Sequence, residues 1–189
     1  MSHSGPLILV TGPARSGKSE WAEQLAQQSG RSVVYVATAS QDPTDAEWQR
    51  RIEQHRQRRP SHWQTHEVGW ELLPVLQMAQ EEHCLLVDSL GTWLASGLDL
   101  DEATWCNTEQ RLVLALSQTP SQIILVAEET GWGVIPAYPL GRQFRDRLGR
   151  LIRRIAAMAD TTYLVLAGHV LDLSRMGMPL AADSWHHQV

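Results

Sequence analysis

One phenylalanine and two cysteines stand against eight tryptophans in 189 residues. Cys84 and Cys106 show no metal-ligand spacing, and Cys84 lies in an apolar run where it reads as core rather than catalytic; so little cysteine fits a reducing, cytoplasmic setting. No run is long and apolar enough to span a bilayer, and the polar start MSHSGP has no apolar h-region, so neither an integral membrane segment nor a signal peptide is expected. A basic excess is missing too. The formal charge of −5 and a pI of about 5.9 disfavour nucleic acid or an anionic membrane as partner, leaving room only for a local basic patch. No internal repeat or low-complexity segment is present. The tryptophan surplus carries no reading by composition alone.

What is present is a chain long enough for one domain, with 43% hydrophobic residues to build its core. Near its start, LILVT runs straight into GPARSGKS, a G-x-x-x-x-G-K-[ST] phosphate loop with Gly12, Gly17, Lys18 and Ser19 in place. The glycines allow a tight turn that points successive N–H groups at phosphate oxygens, and the following helix adds the positive end of its dipole. Lys18 would reach the β- and γ-phosphates, and the Ser19 hydroxyl would ligand Mg²⁺.

Apolar, β-rich runs at 7–11, 32–38, 84–89, 122–127 and 161–167 alternate with helical patterns at 18–29, 45–58, 70–81, 101–118 and 140–158. Strands apolar on both faces and interleaved with helices predict an α/β fold, a mostly parallel sheet covered on two sides. The stretch 63–68 is compatible with a short extra strand. Residues 1–170 read as a single nucleotide-binding catalytic domain, and 171–189 as a loosely ordered tail. In such sheets ligands bind beyond the carboxyl ends of the strands. That directs attention to the P-loop, 38–43, Asp88–Gly91, 128–133 and Gly168.

LLVD at 85–88 is an apolar strand ending in an acid. Asp88 there suits Mg²⁺ beside a P-loop, or the cap of the next helix. In the helix near 45–58, Trp48, Ile52 and His55 share one face, so His55 reads either as a packed histidine or as a nucleophile toward a nucleotide phosphorus. Arg51, Arg56, Arg58 and Arg59 crowd the same stretch, as triphosphate contacts or as a solvated face paired with Glu47 and Glu53. Glu128 and Glu129, opening a long loop, could serve as a base, hold a substrate hydroxyl, or simply lie at the surface. Arg142, Arg145 and Arg147 lie on a basic amphipathic helix that packs on the sheet, with phosphate contact as the second reading.

Taken in order, GPARSGKS, VYVATA, RIEQHRQRRPSHWQTHE, LLVDSLGTWLASGL, ILVAEETGWGVIP with GRQFRDRLGR, and YLVLAG resemble the bifunctional adenosylcobinamide kinase/adenosylcobinamide-phosphate guanylyltransferases of cobalamin biosynthesis, over residues 7–168. The spaced R-I-x-x-H-x-x-x-R-P-x-x-W segment is more specific than the P-loop. The resemblance implies a three-layer, RecA-like P-loop NTPase fold, usually a homotrimer, acting on adenosylcobinamide with ATP and GTP as substrates and Mg²⁺ as cofactor. It implies phosphorylation of the aminopropanol hydroxyl, then transfer of GMP from GTP through a guanylylated histidine matching His55, to give adenosylcobinamide-GDP and pyrophosphate. On that basis Gly12, Pro13, Ala14, Arg15, Ser16, Gly17, Lys18 and Ser19 would cradle the phosphates, with Lys18 and His55 catalytic. Ser19 and Asp88 would serve the metal, and Glu67 would contact nucleotide or metal.

The chain departs from the family pattern at Pro13, which removes a backbone donor, and at Gly91, Ser96, Ala127, Glu128, Ile152 and 136–140. Nucleotide binding is therefore the safer expectation than substrate identity. The alternatives are a simple P-loop small-molecule kinase without a covalent intermediate, and a GTP-binding module that has lost corrinoid turnover.

Overall fold

The computed structural model describes residues 5–39 and 44–180, apart from the Arg51 side chain. Most of the expected site turn at 38–43 lies outside them. In chain order the elements are β1 (Leu7–Gly12), α1 (Lys18–Gln28), β2 (Ser32–Ala37), α2 (Ala46–Arg58), β3 (Gln64–Glu67), α3 (Leu72–Met78), β4 (His83–Asp88), α4 (Leu90–Ser96), α5 (Glu102–Gln118), β5 (Gln122–Glu128), α6 (Pro139–Ala156), β6 (Thr161–Leu166), β7 (His169–Asp172) and α7 (Leu173–Met176). The strands form one seven-stranded sheet in the order β3-β2-β4-β5-β1-β6-β7, parallel throughout except for β7 against β6.

The apolar runs become strands buried on both faces because alternate side chains point to opposite sides. Leu9, Val36, Val87 and Leu125 pack with Leu72, Trp93, Leu112 and Leu151 from the helices on one face. Val10, Tyr35, Leu86 and Val126 meet Ala22 and Ala26 of α1, together with Trp63, on the other. The result is the expected mostly parallel sheet with helices on both sides. It places the carboxyl ends of β1, β2, β4 and β5 side by side.

Two features differ from the sequence expectation. A short helix, α4, follows β4 directly. Its start is secured by a capping box in which the Ser89 side chain and Thr92 satisfy each other's backbone N–H. The cap reading for Asp88 thus falls to its neighbour. Residues 169–176, in part expected as tail, carry regular structure: Ala167 and Gly168 turn the chain with φ of 50° and 74°, and β7 returns antiparallel to β6, with Asp172 capping α7. Arg142, Arg145 and Arg147 of α6 follow the first reading of their helix, packing rather than phosphate contact. Buried Arg147 donates to the carbonyls of Leu98 (3.2 Å) and Leu100 (2.8 Å) and lies over the Trp105 ring. Arg142 donates to the Pro136 and Ala137 carbonyls, and Arg145 pairs with Asp146. None of the three lines the main cavity. Among the described residues no helix is long and apolar enough to cross a membrane.

Candidate active site

The P-loop leaves β1 at Gly12 and turns through Arg15 (φ 58°) and Gly17 (φ 97°), conformations that glycine adopts without strain. Gly12 itself is held close: a Cβ there would run into the Val165 carbonyl oxygen of β6. Lys18 and Ser19 open α1 and are buried, with Lys18 Nζ 3.3 Å from the Pro13 carbonyl oxygen. The helix has no side-chain cap at Gly17, so N–H groups of its first turn stay available to an anion. Buried Ser16 Oγ has no hydrogen-bond partner, as expected of a donor set aside for phosphate.

A cavity of about 1200 Å³ opens over this loop at the carboxyl ends of the strands. Lys18, Ser19, Asp88, Ser89, Thr92 and Glu128 line one wall. Trp48, Ile52, His55 and Arg56 of α2 line the facing one, and Glu67 lies at the edge strand β3. Residues far apart in sequence are thus brought to one space: the P-loop, Asp88, His55 and Glu67.

His55 comes off the last turn of α2, whose start is capped by the Asp45 side chain. Its Nδ1 stands 3.7 Å from Asp88 Oδ2 and 3.3 Å from Arg58 Nη2. Arg58 also reaches Glu20 Oε1 (2.6 Å) and Glu23 Oε1 (3.0 Å), which pins α2 to α1. Burial pushes the Glu23 carboxyl up, against the pull of Arg58. Burial also works to raise Asp88, but its neighbours outweigh it: His55 first, then the Tyr35 hydroxyl. The carboxyl is held below the ordinary value and stays ionised.

Tyr35 and Arg59 were not singled out as a pair by sequence reasoning. The Tyr35 hydroxyl donates to Asp88 Oδ2 at 2.7 Å, and the Arg59 guanidinium lies 3.4 Å over the Tyr35 ring. Burial, then the Asp88 charge, push the Tyr35 phenol well up, so it remains a donor. In sequence Tyr35 looks like one more core residue of a buried strand, and only its pairing with β4, opposite Leu86, places its hydroxyl near Asp88. Thr38, Ser89 and Thr92 form a hydroxyl network behind Asp88, with Thr38 Oγ1 accepting from Ser89 N (2.9 Å) and donating to Ser89 O (2.7 Å).

The family model for cobinamide kinase / cobinamide phosphate guanyltransferase matches residues 8–173. The chain is similar to the bifunctional adenosylcobalamin biosynthesis protein CobP of Pseudomonas aeruginosa, 42% identical over 174 residues, 91% of this chain and 98% of that one. It is also similar to the bifunctional adenosylcobalamin biosynthesis protein CobU of Escherichia coli, 38% identical over 178 residues, 86% of this chain and 96% of that one. Among solved structures, a Pyrococcus horikoshii OT3 protein aligns with a TM-score of 0.55 at 6% identity, covering 90% of this chain and 87% of its own. A prototypical ATPase from the type III secretion system of pathogenic bacteria aligns with a TM-score of 0.54 at 10% identity, covering 95% of this chain and 60% of that ATPase. The structural likenesses speak to fold alone, and they agree with a RecA-like P-loop architecture.

Proposed function

The chain belongs to the cobinamide kinase / cobinamide phosphate guanyltransferase family, and from that premise we propose that it carries out both reactions in the cavity over its P-loop. In the first, the aminopropanol hydroxyl of adenosylcobinamide takes the γ-phosphoryl group of a nucleoside triphosphate. In the second, His55 takes GMP from GTP, releasing pyrophosphate, and passes it to the new phosphate to give adenosylcobinamide-GDP. The reading places the protein in the cytoplasm and, by family likeness, as a homotrimer.

The residues fit a magnesium nucleotide. An uncapped helix start, the orphan Ser16 hydroxyl and buried Lys18 provide for the phosphates, while Ser19 and ionised Asp88 provide oxygen ligands for Mg²⁺. Bound there, Mg²⁺ would neutralise charge on the phosphate oxygens. Lys18 then offsets the charge that develops on the transferred group, and the P-loop N–H groups hold it in line. Attack by Nε2 requires the Nδ1 proton to be directed toward Asp88, and so requires Arg58 Nη2, which lies 3.3 Å from Nδ1 and can only donate, to give up that contact for Glu20 and Glu23.

The single observation that carries this reading is His55 Nδ1 at 3.7 Å from Asp88 in the cavity that Lys18 lines. The test is covalent labelling with Mg²⁺ and α-phosphate-labelled GTP, followed by denaturation. Acid-labile, alkali-stable label in the parent and none in His55→Ala is the expected result. No label with GTP binding intact would leave a simple kinase or a GTP-binding module.

A further inference from the structure

We propose that Glu128 is the proton acceptor for the substrate hydroxyl in the phosphorylation step, and that Gly91 is the opening that seats its carboxylate. The inference rests on the kinase half of the function proposed above.

Glu128 ends β5, paired in register with Gly12, the first glycine of the P-loop. Its side chain crosses to the start of α4. There Ser89 Oγ donates to Oε1 at 2.6 Å and Gly91 N donates to Oε2 at 3.0 Å. Each carboxylate oxygen keeps a second lone pair, and the residue lines the cavity beside Lys18, Ser19 and Asp88. The other carboxylate of this loop does something else: Glu129 Oε1 turns back to accept from Gly131 N at 2.6 Å. Asp88, the remaining acid of the phosphate wall, is engaged by Tyr35 and His55.

Gly91 supplies the independent observation. It has no positive φ, so its backbone does not call for glycine, and glycine is a poor helix former. A Cβ at this position would fall on the Glu128 carboxylate, well inside contact distance of Oε2 and 2.8 Å from Cδ. The missing side chain is what admits the carboxylate to the cavity edge with both oxygens oriented.

The step balances simply. The substrate oxygen bonds to the γ-phosphorus as the bond from that phosphorus to the β–γ bridging oxygen breaks. The nucleoside diphosphate leaves with the electron pair, and the hydroxyl proton passes to Glu128. The later attack on guanylyl-histidine comes from a phosphate oxygen that carries no proton to remove. Glu128 therefore matters for one half-reaction and not for the other.

The experiment measures phosphorylation of adenosylcobinamide, and separately GMP transfer to adenosylcobinamide phosphate, in the full chain, Glu128→Gln, Gly91→Ala and the double variant. Nucleotide affinity and melting temperature serve as controls on folding. Glu128→Gln is expected to lose about 100-fold or more in kinase kcat, with KM within about threefold and GMP transfer near the parent rate. Gly91→Ala meets only the end of a flexible side chain, so it should fold, displace the carboxylate and lower the same step. The double variant should be no slower than the slower single one. Glu128→Gln with kinase activity close to the parent overturns the proposal. Equal loss of both half-reactions also overturns it, since Glu128 would then only brace the α4 turn. A parent that labels His55 but phosphorylates no corrinoid would refute the kinase half of the proposed function and this inference with it, a failure seen in the parent and not in the variants.

Discussion

On one side of the cavity, Lys18 and Ser19 are 5% and 8% exposed, set on a helix that packs directly against the sheet. On the other, His55 keeps 25% of its side chain in solvent, and no described residue of α2 is buried. The first wall is held by backbone turns, apolar packing and a glycine pressed against β6. The second is held by a half-buried stripe of Trp48, Ile52 and His55 and by the Arg58 ion pairs with α1. The wall proposed for phosphate is thus part of the core, whereas the histidine is brought up by a half-buried stripe and by polar contacts that water and salt can weaken. The two half-reactions should therefore respond differently to the same disturbance.

The largest break comes from the wall they share. Lys18→Ala is expected to lower both phosphorylation and His55 labelling, each by on the order of 10²–10³-fold, read from the two rates side by side. Gly12→Ala comes next, because its Cβ meets the Val165 backbone rather than a movable side chain. It should cost about 1–3 kcal/mol in urea unfolding at unchanged m-value. Gly133→Ala, with nothing within 4 Å of its Cβ, should leave the urea midpoint in place.

A smaller effect isolates the α2 wall. Arg58→Ala removes both ion pairs with α1, and at 34% exposure these contribute about 1 kcal/mol at most. His55 labelling should slow by about fivefold while phosphorylation holds, and the labelling rate should become less sensitive to salt. The smallest sharpening concerns thiols. Burial pushes the Cys84 thiol up to about 11, whereas Cys106 is exposed. A thiol reagent near neutral pH should modify Cys106 in the native protein, reaching Cys84 only after denaturant is added; mass spectrometry of the two peptides reads this directly.

Much of the architecture is legible because buried parallel strands are written as unbroken apolar runs, and all five of those runs became strands. Of the short elements, β3 (Gln64–Glu67) was legible in the stretch 63–68, but α4 and β7 were not. The helix Leu90–Ser96 is too brief to show a period, and it forms because Ser89 and Thr92 close a cap that only the end of β4 positions. The strand His169–Asp172 depends on a turn at Ala167 and Gly168 and on an edge strand to pair with. At the site, Gly12, Gly17, Lys18 and Ser19 could be picked out by type and spacing; Asp88 admitted a metal or a cap role, and His55 stood out as a nucleophile only through the family resemblance. Tyr35 could not be picked out, since its hydroxyl acquires meaning only from the neighbouring strand. The α6 arginines follow the first reading of their helix as a packed face: Arg147 donates to the carbonyls of Leu98 and Leu100.

Three of the eight tryptophans that composition left without a reading, Trp70, Trp93 and Trp105, form a group in the core on the α4 side of the sheet. Trp70 and Trp93 stack with centroids 4.7 Å apart and 7° between planes, and Trp93 meets Trp105 at 5.8 Å and 47°. Trp93 belongs to α4, whose first turn receives Glu128. At these separations both pairs can couple their electronic transitions and rotate polarised light. Near-ultraviolet circular dichroism should therefore carry an optical signature of this one corner of the molecule, and it needs no added label.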